Sequence, residues 1–142
     1  QTVKTTTYAA GTADAATRIE TYAKDGSLLT VTGTAVSTPV QYDYGVVQDG
    51  TGGPWRIYRT ALKLGPAMNE WTQTYTDLVG REYKTVFAAA SGTPNTQSYF
   101  NNLGQLSKQT DPDGVNTLFA YNGAGQLQDS VLDQGKGLVS AR

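Results

Sequence analysis

Neither cysteine nor histidine occurs among the 142 residues of this chain. Without cysteine there are no disulfides, no thiolate metal sites and no nucleophilic thiols. Without histidine the commonest general base and the commonest transition-metal ligand are gone as well. A catalytic mechanism would have to rest on carboxylates, Lys or Tyr, and no carboxylate pair stands out from the solvated ones. The chain therefore reads as non-enzymatic, with no cofactor and no metal. Charge is sparse too: charged residues make up 16%, the net charge is -1 and no basic cluster occurs. Nucleic-acid binding gathers several Lys and Arg against phosphates, so nucleic acid is not an expected partner. No apolar run is long enough to cross a bilayer, which predicts a soluble chain without a membrane span. An initiator methionine and a secretory leader are also missing. The chain opens at Gln1 and ends at Arg142 just after Gly135-Lys136-Gly137 and Leu138-Val139, and so reads as cut or processed from something longer.

What the chain has in quantity is short β-forming runs punctuated by glycine. Tyr99-Phe100-Asn101-Asn102-Leu103-Gly104-Gln105-Leu106 returns as Tyr121-Asn122-Gly123-Ala124-Gly125-Gln126-Leu127. Looser copies are Tyr22-Ala23-Lys24-Asp25-Gly26-Ser27-Leu28 and Tyr75-Thr76-Asp77-Leu78-Val79-Gly80-Arg81. In each, an aromatic closes an incoming strand, Asn or Asp with Gly supplies the turn, and a second strand returns antiparallel. Eleven strands are predicted: Thr2 to Tyr8, Arg18 to Tyr22, Leu28 to Thr34, Val40 to Val47, Trp55 to Leu62, Glu70 to Tyr75, Arg81 to Phe87, Thr96 to Phe100, Gln105 to Thr110, Asn116 to Tyr121 and Gln126 to Leu132. Gln48 to Pro54 reads as a wider hairpin loop. Ala13 to Ala23 also fits a helix capped at Thr12, with Ala16, Ile19 and Ala23 at helical spacing; the strand that opens a repeat is the preferred reading of Arg18 to Tyr22. Alternation in Thr117 to Tyr121 puts Phe119 and Tyr121 on one face and Leu118 and Ala120 on the other, so the aromatic face is expected to pack inward.

These residues resemble the YD repeat of the rearrangement-hotspot (RHS) family, whose units read roughly Tyr-Asp-x-x-Gly-Arg-Leu followed by a Thr-Asp-Pro-x-Gly turn. Gly104-Gln105-Leu106 leads into Thr110-Asp111-Pro112-Asp113-Gly114, and Thr117 to Tyr121 opens the next unit. The match is best over Thr96 to Asp133, moderate over Trp71 to Phe87 and weak over residues 17 to 35. Glu82 stands where the family has leucine, and Tyr42-Asp43 lies in a segment without the usual turn. The resemblance implies an all-β fold of stacked antiparallel β-hairpins, forming a YD-repeat-like sheet or a β-solenoid segment. It implies one β-repeat domain over 1–142, with degenerate or elaborated repeats in 1–70, clearer units in 71–133 and a C-terminal strand in 134–142. The repeat-defining turn and packing residues are then Tyr22, Gly26, Tyr75, Gly80, Tyr99, Gly104, Asp111, Pro112, Gly114, Tyr121 and Gly125. An extracellular or cell-surface location in a bacterium is implied as well.

Function divides three ways on this reading. The first is a structural protein forming a β wall or filament. The second is a segment of an RHS shell that encapsulates a toxin. The third is a carbohydrate-binding or adhesive module that would stack glycans on Trp55 and Trp71. Expected partners are neighbouring repeats of a longer parent, or other copies joined by strand addition through Val3, Thr5 and Thr7 of the bland N-terminal strand, where proline at Thr6 should remove an edge donor. Asp111-Pro112-Asp113-Gly114 with Asn116 has a faint likeness to half a calcium loop but lacks the distal Glu, so it reads as the repeat turn. It also departs from the self-cleaving Asp-Pro-x-Gly-Leu motif of some RHS proteins, because Val115 follows the glycine. Gly50 to Pro54 lacks the lysine of a phosphate cradle and reads as a turn.

Overall fold

The computed structural model describes residues 1–65 and 70–133, and the backbone of 139–140. Every regular element among the described residues is a β-strand: β1 (Thr2–Tyr8), β2 (Ala16–Tyr22), β3 (Leu28–Thr32), β4 (Val40–Gln48), β5 (Trp55–Lys63), β6 (Trp71–Thr76), β7 (Glu82–Phe87), β8 (Asn95–Phe100), β9 (Leu106–Thr110), β10 (Asn116–Tyr121), β11 (Leu127–Asp133) and β12 (Val139–Ser140). They form one sheet whose spatial order is the order of the sequence, every neighbour antiparallel. Of the two architectures expected from the resemblance, this is the hairpin sheet. Ala13 to Ala23 is not a helix. Thr17, Ile19 and Thr21 alternate with Arg18, Glu20 and Tyr22 across β2, and strands on both sides bond its backbone, so tertiary pairing decides over the local helical spacing. Gly135-Lys136-Gly137 and most of the expected C-terminal strand 134–142 lie outside the described residues; Val139 and Ser140 pair with Leu132 and Val131.

The sheet is a single layer. Buried apolar side chains among the described residues are Val31, Tyr83 and Val86. The accessible surface is 9696 Å² for a chain of 15.1 kDa, where a compactly folded chain of that mass exposes about 7,100 Å². Phe119 and Tyr121 do not enter an interior; both are half-buried, packed along the sheet and not under a second layer. Stability in such a sheet comes from cross-strand neighbours and the ladder itself.

Four hairpins share one irregularity. Pairing slips by one residue just before the turn in β2–β3, β6–β7, β8–β9 and β10–β11, leaving Leu29, Tyr83, Ser107 and Gln128 as the extra residue on the outgoing strand. A bulge at the same place in each hairpin adds twist and re-aims the side chains beside it. At the N-terminal edge, Thr17 directs its carbonyl to the Ala35 N–H on the β3 side at 2.8 Å. By alternation, Arg18 and Glu20 bond β1, so Lys4 and Thr6 use their backbone groups inward and Val3, Thr5 and Thr7 turn theirs outward. Proline at Thr6 would thus remove a bond within the sheet, and Thr5 is the position that carries an outward edge donor.

Candidate functional site: a column of repeat turns

The turns that close the hairpins line up along one end of the sheet, and each is built from the same backbone bonds. In 77–81 the Asp77 N–H donates to the Arg81 carbonyl at 2.9 Å and the Gly80 N–H to the Asp77 carbonyl at 3.0 Å. The same two bonds recur in 23–27, 101–105 and 122–126, and again at the opposite end of the sheet in 111–115. The glycine in each has positive φ, between +79° and +88° for Gly26, Gly80, Gly104, Gly114 and Gly125. Pro112 occupies the exposed second position of the 111–115 turn.

A side chain locks the loop. Oδ1 of Asp77 accepts from the Val79 and Arg81 N–H groups at 3.0 and 2.9 Å. Asn101 accepts from Leu103 and Gln105, Asp111 from Asp113 and Val115, and Asn122 from Ala124 and Gln126, all at 2.9 to 3.0 Å. One oxygen thus satisfies two N–H groups that the tight loop leaves unpaired. The residue after the glycine closes a second bond: Arg81 grips Asp77 Oδ2 through Nε at 2.9 Å and Nη2 at 2.8 Å, while the Asn101 and Asn122 amides donate to Gln105 and Gln126. In 23–27 the first position is Ala23, and the Asp25 carboxylate, two residues further on, accepts from the Ser27 N–H at 2.9 Å instead. Burial alone would push the Asp77 carboxyl up. The Arg81 N–H, the Arg81 guanidinium and the Val79 N–H outweigh it and hold the carboxyl below its ordinary value.

Successive turns also touch. The Arg81 guanidinium lies 4.3 Å from the centre of the Phe100 ring, with Nη1 beside Gly104. Gln105 Nε2 donates to the Gly125 carbonyl at 3.0 Å. A phenol spans the same seam lower down: Tyr121 donates to the Leu106 carbonyl, and Tyr44 to the Leu28 carbonyl, both at 2.9 Å. Leu28 and Leu106 each begin an outgoing strand, so these two seams are built alike; at the seam between β7 and β8 the equivalent residue is Phe100, which has no hydroxyl.

The tyrosines singled out by their spacing to glycine occupy two different positions. Tyr22 and Tyr121 are the last residues of β2 and β10, whereas Tyr75 and Tyr99 are next to last in β6 and β8 and project to the other face. The four tyrosines therefore do not share a face; the equivalents of Tyr121 are Tyr22, Thr76 and Phe100. The offset places Tyr75 beside Tyr58 and Tyr83, centroids 6.3 Å apart in both pairs, with Lys84 over the Tyr75 ring and Lys108 over Tyr99. Arg56 stacks on Tyr83, whose hydroxyl donates to Asp49 at 3.0 Å. Burial first, and that bond to a carboxylate second, push the Tyr83 phenol up to about 12.

The two tryptophans do not meet. Trp55 begins β5, while Trp71 lies opposite Leu62, seven residues along the same strand, or about 23 Å away and on the opposite face. Trp55 is exposed; Trp71 helps line a groove of about 420 Å³ with Val40, Tyr42 and Phe87, at whose mouth Lys63 pairs with Glu70. Among the described residues no group of three or more Asp or Glu is placed to hold a metal ion.

The turn glycines carry a direct test. Gly125 stands at φ +79°, and an added Cβ would lie 3.3 Å from Gln105 Nε2. Gly125→Val is therefore expected to destabilise by roughly 2 kcal/mol, and Ser130→Val on exposed β11 by less than about 0.5 kcal/mol. Paired urea denaturation curves check the difference, and equal midpoints would refute this placement of the turn.

No curated protein matches the chain. Residues 100–136 match the family model of the RHS repeat, a stretch that runs from the end of β8 through the turns at 101–105, 111–115 and 122–126.

Proposed function

We propose that this chain is a non-enzymatic wall module of the YD-repeat type, secreted or displayed at a bacterial cell surface, that extends by adding strands to its sheet. The observation that carries this reading is the single-layer sheet in strict chain order, both faces largely uncovered and the turns locked to one another along one end. Such a sheet gains stability by each hairpin laid beside the last. A filament of copies and a shell segment enclosing a toxin both use this wall. The glycan-stacking reading is weaker, since Trp55 and Trp71 cannot form one platform.

The outward backbone groups of Val3, Thr5 and Thr7 offer a strand-addition edge guarded chiefly by Lys4, which leans toward Glu20 at 4.0 Å. Thr5→Pro should remove one outward donor and leave the β1–β2 ladder intact, so association falls and folding stays. Thr6→Pro should instead lower stability by about 2 kcal/mol. Light scattering across a concentration series, with circular dichroism on the same samples, reads both. A wild-type chain that stays monomeric at high concentration would reject self-assembly and leave the wall as part of one longer chain.

A further inference from the structure

We propose that the groove over β5 and β6 binds a small aromatic carboxylate, its flat body held between Tyr42 and Phe87 and its carboxylate held by Arg59. The site is independent of how the sheet grows, and it can fail while the wall reading stands.

Four residues in one cross-strand row make the groove. Tyr42 pairs with Ala61, Ala61 with Thr72 and Thr72 with Phe87, so all four side chains leave the same face of the sheet. The two outer positions are aromatic and the two inner ones small. Three strand spacings of about 4.8 Å put the aromatic backbones about 14 Å apart, and the floor between them carries only the side chains of an alanine and a threonine. A single-layer sheet thereby gains a recess of about 420 Å³, within the range of ligand pockets, roughly 300 to 1,000 Å³. Tyr42 and Phe87 are half-buried, and Thr72 on the floor is exposed. Rings as walls suit a flat apolar body, which gains offset or edge-on ring contacts as well as burial.

The two ends of the groove differ in charge. At one end Val40 stands beside Lys63, whose ammonium is already held by Glu70. At the other the next row reads Tyr44, Arg59, Thr74 and Thr85. Arg59 lies two residues from Ala61 on β5, on the same face and about 7 Å along the strand, and its guanidinium is 5.9 Å from the centre of the Tyr42 ring. Arg18, Arg56 and Arg81 each have a carboxylate beside them, in Glu20, Asp49 and Asp77. Arg59 is exposed, and among the described residues it makes no such ion pair. A guanidinium donates two parallel bonds to a carboxylate, so an unpaired one at the end of an apolar slot selects an anionic head. The ligand is therefore oriented: ring over Ala61 and Thr72, carboxylate at Arg59.

Calorimetric titration of the full chain with 2-naphthoate, 2-naphthalenemethanol and decanoate tests this. Naphthoate should bind saturably, and about tenfold or more tightly than the alcohol with the same body, because only the acid makes the charged pair with Arg59. Arg59→Gln should bring naphthoate down to the level of the alcohol and leave the alcohol unchanged. Ala61→Phe fills the floor and should abolish binding of both. Thr72→Phe fills it from an exposed position where a strand tolerates an aromatic, and circular dichroism confirms that each variant is folded. Absence of saturable binding at millimolar naphthoate, equal affinity for acid and alcohol, or unchanged binding in the folded floor-filling variants would each overturn the assignment. So would tighter binding of decanoate, which would give the groove to a flexible chain, or association of the protein with itself that Thr72→Phe abolishes, which would give it to a second copy.

Discussion

Asp77→Ala is expected to cost about 3 kcal/mol, the largest loss from any one side chain in the turn column. Asp77 is 8% exposed and makes four bonds: two from backbone N–H groups and two from Arg81. Alanine leaves two N–H groups of a tight loop and a half-covered guanidinium without their acceptor. Asn122→Ala removes the same lock from an exposed turn where water replaces it, and should cost about 1 kcal/mol. Asp77→Asn keeps the Oδ1 bonds and loses the ion pair, so it should fall between them. Because the folded carboxyl titrates below its unfolded value, near 3.9, its contribution is complete above that pH and is lost as pH falls through the lower, folded value. Urea denaturation at pH 7 and pH 3 should show the gap between wild type and Asp77→Ala narrowing at the lower pH. A gap that widens on acidification, or an Asp77→Ala cost no larger than that of Asn122→Ala, would reject the lock.

This lock was present in the sequence but keyed to the wrong residue. Asp77, Asn101, Asp111 and Asn122 each precede a positive-φ glycine by three positions, a constant offset. Tyrosine precedes it by five at Tyr75 and Tyr99 but by four at Tyr22 and Tyr121, so a pattern anchored on the aromatic blurs the register. Strand positions, by contrast, were legible almost to the residue, because period-two alternation and a glycine at every turn act locally. Bulges were not, since Leu29, Tyr83, Ser107 and Gln128 become extra only against the particular partner strand. Nor was the single layer: Phe119 and Tyr121 alternate as core residues do, yet among the described residues all strands lie in one sheet, which leaves both rings half-covered.

The turns also differ along the column in a way that bears on growth. The first turn residue passes from buried at Asp77, through half-buried at Asn101, to exposed at Asn122, and the residue after glycine changes from Arg81 to Gln105 and Gln126. An arginine-aspartate pair is strong where neighbours shield it. A neutral amide is the better choice at an edge alternately wet and covered, because covering it strands no charge.

Gly33→Ala is the backbone counterpart of Asp77→Ala, and about 3 kcal/mol or more is expected from it. Gly33 follows β3 at φ +115°, where an L side chain is strained, and its added Cβ would fall onto the Thr17 carbonyl oxygen, 2.9 Å from the carbonyl carbon and 3.2 Å from Arg18 Cα. These are backbone atoms of β2 that cannot swing aside, since the Thr17 N–H donates to Thr34 Oγ1 and its carbonyl accepts from Ala35. Gly26 provides the control: its φ is +88° with nothing within 4 Å of the added Cβ, so Gly26→Ala carries only the conformational cost, about 1 kcal/mol. The excess of Gly33→Ala over Gly26→Ala then measures how firmly β2 is held against the chain end of β3. Because β1 pairs only with β2, displacing Thr17 and Arg18 should also loosen the edge that carries Val3, Thr5 and Thr7, and amide exchange along β1 should quicken in Gly33→Ala while β8 to β10 keep their protection. Equal destabilisation by the two alanines, with β1 exchange unchanged, would mean that β2 shifts freely and that the N-terminal edge is not positioned by this contact.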